Sequence, residues 1–223
     1  MGTDYAKGKV ELFEDFVHDN VTNLVETVDG SGGAQDITNK HGGWWRQTIQ
    51  ANDTDAAMIA GEVAWEVDEG YPLVFEVRLL SSDVSVSSIF VGMSDANTES
   101  GAVVIEDEDG TLNTAPTDAI GFLLEGEQDE TWQAVGVQNG TDNTQTALTG
   151  GADAADATVQ TLRMELSPEN SGTVRYYIDG ELVSTLTSQF RSSIVMAPVA
   201  ASDARNSAYT VDYDYIYVTA PRS

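Results

Sequence analysis

Between residues 161 and 186 (TLRMELSPENSGTVRYYIDGELVSTL) apolar and polar positions alternate with a period of two. Leu162, Met164 and Leu166 fall on one side and Arg163 and Glu165 on the other; Val174, Tyr176 and Ile178 likewise oppose Thr173, Arg175 and Tyr177. Successive strand side chains point to opposite faces, so this pattern predicts strands with one face on a core. Asp179-Gly180 between the second and third strand is a hairpin signal, because both turn positions favour positive φ. A two-residue loop would set Glu181 opposite Ile178, a carboxylate on the apolar side. A three-residue loop, Asp179 to Glu181, pairs Ile178 with Leu182 and Val174 with Leu186, and is the register expected.

The same reading along the chain predicts strands at 10–16, 22–28, 44–50, 57–67, 72–80, 86–93, 118–124, 131–137, 194–200 and 209–218. Leu73, Phe75, Val77 and Leu79 share a face, as do Val211, Tyr213, Tyr215 and Tyr217. The serines of 86–93 (VSSIFVGM) predict a central strand with one polar face. The Gly-rich stretch 29–43 reads as a loop, VVIEDEDGTLNTAPTD as an acidic hairpin or loop, and 138–158 as a polar excursion. No helix of three turns, internal repeat or dividing linker is apparent. The expected fold is all-β, a two-sheet antiparallel jelly-roll β-sandwich spanning 10–223 as one domain, preceded by an arm at 1–9.

Charge changes the picture most. The 223 residues hold 37 acids against 10 bases, a net of −27, and no cysteine. The three lysines, Lys7, Lys9 and Lys40, all lie early in the chain. Such a surface repels itself in dilute salt, whereas at about 1 M salt the Debye length falls to roughly 3 Å and the repulsion is screened. A lysine-poor, acid-coated chain points to work in brine; an ordinary acidic protein is the alternative. The same charge argues against nucleic acid and anionic membranes as partners. No apolar run reaches the ~20 residues of a membrane span, and no secretory signal is visible at the start of the sequence.

The segment RMELSPENSGTVRYYIDGELVSTL, followed by VDYDYIYV, resembles the concanavalin A-like lectin/glucanase superfamily. With FVGMSD, DAIGFLLEG and TWQAVGV ahead of the hairpin, it is most similar to jelly-roll proteins of tailed-virus particles: capsid decoration, turret or head-fibre components. The resemblance spans about residues 10 to 218. It implies a non-enzymatic virion protein at the capsid surface, made in the host cytoplasm. Its implied partners are the major capsid protein or neighbouring decoration subunits, in a homo-oligomer. The alternative it implies is a lectin-like module for host surface glycans.

Glucanases of that superfamily carry Glu-x-Asp-x-x-Glu on one strand, and retaining hydrolysis needs two carboxyls about 5 Å apart. Glu62, Glu66 and Glu69 lack the spacing, Glu106 to Asp109 sit at a turn, and Asp212 with Asp214 have no third acid. No catalytic residue and no cofactor are therefore expected. His18 and His41 stand in polar loops without an evident ligand set. Asp107 and Asp109 are the weak candidates for a hard cation, a solvated acidic turn being the plainer account. Trp44 and Trp45 point to opposite faces of one strand, so one is expected in the core and the other exposed to a glycan or an interface. Trp65 and Trp132 are expected in the core. Assembly contacts are expected at Lys7 and Lys9 of the arm and at Tyr213, Tyr215 and Tyr217 of the last strand.

Overall fold

A computed structural model describes residues 9–17, 24–29, 34–38, 42–52, 55–67, 72–97, 105–108, 111–143, 145–150 and 153–221. In chain order the strands are β1 (Lys9–Glu14), β2 (Val25–Asp29), β3 (Ala34–Thr38), β4 (Trp44–Ile49), β5 (Ala56–Ala60), β6 (Trp65–Glu66) and β7 (Leu73–Ser81). They continue with β8 (Ser88–Ser94), β9 (Ile105–Glu108), β10 (Thr111–Thr114), β11 (Ala119–Glu125), β12 (Asp129–Gln138), β13 (Thr141–Asp142) and β14 (Thr146–Ala147). β15 (Gln160–Ser167), β16 (Thr173–Ile178), β17 (Glu181–Leu186), β18 (Val195–Asp203) and β19 (Tyr209–Pro221) follow. Among the described residues the helical turns are two short 3-10 turns, at Val84–Val86 and Glu169–Ser171.

Two antiparallel sheets face each other. The first runs β17-β16-β15-β7-β19-β4-β3, with β1 also on β19; the second runs β13-β12-β11-β8-β18-β5-β2, with β14 on β12 and β6 on β18. Alternation aims Leu73, Phe75, Val77 and Leu79 of β7 and Leu162, Met164 and Leu166 of β15 inward, where all are buried. Ile89, Val91 and Met93 of β8 and Ile120, Phe122 and Leu124 of β11 meet them from the second sheet. Phe122 packs edge-on against both Tyr176 (5.1 Å) and Trp132 (6.4 Å). Trp65 and Trp132 lie in this core, as expected.

A polar network crosses the core. Ser202 Oγ (2.7 Å) and Tyr213 Oη (3.2 Å) donate to Gln47 Oε1, while Gln47 Nε2 donates to the Ala200 carbonyl. Tyr176 differs: its hydroxyl is fully buried with no partner among the described residues. A buried polar group without a hydrogen bond costs on the order of 1–3 kcal/mol. Tyr176→Phe is therefore expected to leave urea stability unchanged or raise it by about 1 kcal/mol. A loss of stability would reveal a partner for that hydroxyl.

Several expectations need correction. Ile178 pairs with Glu181 across a two-residue turn, with Asp179 at φ 50° and Gly180 at φ 84°. Glu181 is exposed on the edge strand, so its carboxylate needs no burial. A bulge in β17 then puts Leu182 opposite Tyr177 and restores the expected Val174–Leu186 pair. The four residues Val211, Tyr213, Tyr215 and Tyr217 do not share a face. A bulge between Tyr213 and Tyr215 re-phases β19, so Val211, Tyr213, Ile216 and Val218 are buried and Tyr215 and Tyr217 point outward. Ser88 and Ser94 of β8 do lie on its second face, but that face is buried rather than solvated. Ala34–Thr38, read as loop, pairs with β4. The 138–158 stretch contributes β13 and β14. Residues 1–8 of the expected arm, Lys7 included, lie outside the described residues, as do His18 and His41. Lys9 opens β1 opposite Pro221; its side chain is outside the description.

Candidate interaction face and the covered apolar face

The outer face of the second sheet is built around β11. β11 presents Ala119, Gly121 and Leu123 there, with Glu125 at its end. Gly121 is adjacent to Gly92, and a Cβ on it would lie 2.4 Å from the Val91 carbonyl and 2.7 Å from the Phe90 ring. The face is apolar: Met58, Phe90, Leu123, Val135, Val137, Val199 and Ala201 form one buried cluster. The β9–β10 hairpin lies over it, with Ile105 buried in that cluster and Leu112 packed against it.

One end of this face is charged. Arg205 Nε and Nη2 each donate to Glu125 at 3.1 Å, and Nη1 donates to Asp203 at 2.8 Å. Ser88 Oγ (2.8 Å) and the backbone N–H of Asp107 also donate to Glu125. Asp107, expected in a solvated turn, is only 5% exposed and faces the sheet with Ile105; its Oδ1 has no partner among the described residues. Asp109 lies outside the described residues, and among those described no group of three metal-ligating side chains comes together. Burial pushes the Glu125 carboxyl above its ordinary value, against the opposing pull of Arg205. The stability Glu125 contributes is thus present in full below the ordinary carboxylate value and is lost as pH rises through the raised one. As pH rises from the ordinary carboxylate value through the raised one, the wild type is expected to lose more stability than Glu125→Gln, whose amide is neutral throughout. Equal losses in urea titrations would show that Glu125 ionises normally.

The outer face of the first sheet is different in kind. Registry places Leu182, Tyr177, Arg163, Glu76, Tyr217 and Phe13 in one row across β17, β16, β15, β7, β19 and β1. Phe13 (56% exposed) and Leu182 (55%) end the row. Phe13 packs on Tyr215 (5.7 Å) and Tyr217 (6.3 Å), and the Arg163 guanidinium lies 5.7 Å from the Tyr177 ring centre. The polar groups are held: Arg163 Nη2 donates to Glu165 (2.6 Å), Tyr177 to Glu165 (3.2 Å), Tyr215 to Glu76 (2.6 Å) and Tyr217 to Glu11 (3.2 Å). Arg78 donates to Asp214, and Arg46 binds Asp212 through two bonds of 2.5 and 2.7 Å. Burial, then the bond to Glu76, raise the Tyr215 hydroxyl; burial, then the Glu165 charge, raise Tyr177.

Trp44 and Trp45 do not divide as expected. Trp45 is 4% exposed and stacks on Phe16 (6.0 Å) in the core. Trp44 does point outward, yet it is only 8% exposed, with the Arg78 guanidinium 5.8 Å from its ring centre. Neither is an open platform. The tyrosines separate too: Tyr213 serves the core, while Tyr215 and Tyr217 join Phe13 outside. Sequence reading missed Arg205 with Glu125, 80 residues apart, and missed the cross-strand row, which exists only once strand order is known.

No family profile matches the chain, and no curated protein does. Solved structures do. The β-glucanase of Bacillus licheniformis has a TM-score of 0.63 at 17% identity, covering 93% of this chain and 97% of its own. The Emp47p carbohydrate recognition domain has a TM-score of 0.62 at 11% identity over 100% of both chains. The GlcNAcα1-4Gal-releasing endo-β-galactosidase of Clostridium perfringens has a TM-score of 0.64 at 12% identity, covering 97% of this chain and 64% of that one. At these identities the likeness shows the fold alone: this is a concanavalin A-like jelly-roll sandwich, shared by glycosidases and lectin domains.

Proposed function

We propose that this chain is a non-enzymatic structural subunit that works by binding other proteins. In the form its motif order resembles, it is a decoration, turret or head-fibre component on the capsid of a tailed virus, at home in a salt-adapted host. The observation that supports the non-enzymatic reading is the outward run Ala119, Gly121, Leu123 of β11, apolar and roofed by the β9–β10 hairpin. None of these three residues carries a carboxyl, and the two carboxyls at the end of the face, Glu125 and Asp203, are both engaged by Arg205, whereas retaining glycoside hydrolysis needs an open pair about 5 Å apart. The binding surface is the outer face of the first sheet, whose exposed Phe13 and half-buried Tyr177, Tyr217 and Arg163 are of the residue types enriched at protein contacts. Purified particles should contain the protein by mass spectrometry, and added protein should co-sediment with particles lacking it. Release of reducing sugar from glucans would overturn the reading.

The fold shared with a carbohydrate recognition domain favours a second reading, a glycan-binding module. Its platform would be Phe13 with Tyr215 and Tyr217 rather than either tryptophan. A glycan array at high salt, repeated with Phe13→Ala, separates the two readings: sugar binding lost in the variant supports the second.

A further inference from the structure

We infer that the outer face of the first sheet is self-complementary, and that two copies of this chain associate through it about a two-fold axis. The row reads Leu182, Tyr177, Arg163, Glu76, Tyr217, Phe13. A half-turn about its midpoint, between Arg163 and Glu76, lays the row on its own reverse. Leu182 of one copy then meets Phe13 of the other, Tyr177 meets Tyr217, and Arg163 meets Glu76. Each pair matches in kind: apolar on apolar, aromatic on aromatic, cation on anion. A two-fold interface uses the same patch on both copies, so a patch that complements its own reversal is what such an interface requires.

Charge selects the same occupant. The described side chains of this face include Arg46, Arg78, Arg163 and Arg175 against Glu11, Glu76, Glu165, Asp212 and Asp214, four cations and five anions, or −1. The whole chain carries −27. Two such chains repel wherever else they approach, and this face lets them meet without opposing like charges. A strongly basic partner would gain more from the acidic surfaces elsewhere. Size also fits. Five strand spacings of about 4.8 Å make the row about 24 Å long, and β7 adds about 30 Å in the other direction. That is on the order of 700 Å² per copy, close to the ~800 Å² a standard interface takes from each partner.

This inference rests on the reading of that face as the contact surface, and it names the occupant. The chain has no cysteine, which gives a direct test. Phe13→Cys and Leu182→Cys are prepared as separate proteins, checked for native circular dichroism, and treated with a thiol-specific bifunctional cross-linker in about 1 M salt, where the Debye length is ~3 Å. Sheets stacked face to face lie about 10 Å apart, beyond the ~7 Å between Cα atoms that a disulfide spans, so a bis-maleimide of matching reach joins the two thiols. The mixture is expected to give a cross-linked dimer of one protein with the other, and neither protein alone should cross-link. The wild type should sediment as a dimer, and Arg163→Glu as a monomer. Combining Arg163→Glu with Glu76→Arg in one chain should restore the dimer. Self-cross-linking of either cysteine variant, or a monomeric wild type, overturns the inference. A monomer that still co-sediments with particles would overturn it while leaving the structural role standing; a dimer that releases sugar would do the reverse.

Discussion

Arg205→Ala is expected to lower stability to urea by about 3–5 kcal/mol, the cost of stripping the partner from a buried ion pair. Arg205 is the cation that faces both Glu125 and Asp203, and all three side chains are largely shielded from water. Its loss leaves two carboxylates on a buried face with Ser88 and backbone donors as their remaining partners in view. The size of the loss should depend on pH. With the guanidinium gone, only the Ser88 and Asp107 donors offset the burial that already raises the Glu125 carboxyl, so acidification should recover part of the stability. Adding Glu125→Gln and Asp203→Asn to Arg205→Ala should recover more, since neutral amides cost less to bury than charges. A loss below about 1 kcal/mol would place the cluster among screened surface pairs.

Phe122→Ala is expected to be as damaging, about 3–5 kcal/mol. The ring is fully buried and sits edge-on between Trp132 of its own sheet and Tyr176 of the other, so it is one of the side chains by which the sheets grip each other. Removing it leaves a cavity lined by two large rigid rings that cannot easily collapse into it. Phe122→Leu, which keeps much of the volume, should cost less than about half as much. Thermal unfolding and urea titration check both variants. A cost near 1 kcal/mol for the alanine would mean that the rings do repack.

What could be read from the sequence was local and periodic. The alternation of β7, β15 and β16 depends on nothing beyond each strand, so Leu73 to Leu79 and Leu162 to Leu166 are buried as expected. β19 shows the limit. Its sequence alternates on both sides of the bulge, and only pairing with β4 and β7 determines that Ile216 rather than Tyr215 follows Tyr213 inward. Trp44 is similar: nothing near it announces that Arg78, from another strand, will cover it. The Ala34–Thr38 strand has a short, mixed pattern that acquires meaning only beside β4. The contact row is the extreme case. Its six members come from six strands scattered from residue 13 to residue 217; the 161–186 stretch holds three of them, and Phe13, Glu76 and Tyr217 join them only through strand order.

The position of β19 has a consequence for how the protein is made. β19 sits inside the first sheet, with β7 along one edge and β4 then β1 along the other. A ribosome delivers β1, β4 and β7 long before the strand that joins them. Through most of synthesis these segments must wait, apolar faces exposed, for a pairing that spans nearly the whole chain. Such long-range closure is slow and leaves the nascent polypeptide open to aggregation. The acidic residues spread among the strands keep waiting chains apart by mutual repulsion, so the charge profile that marks the finished surface also guards the unfinished one.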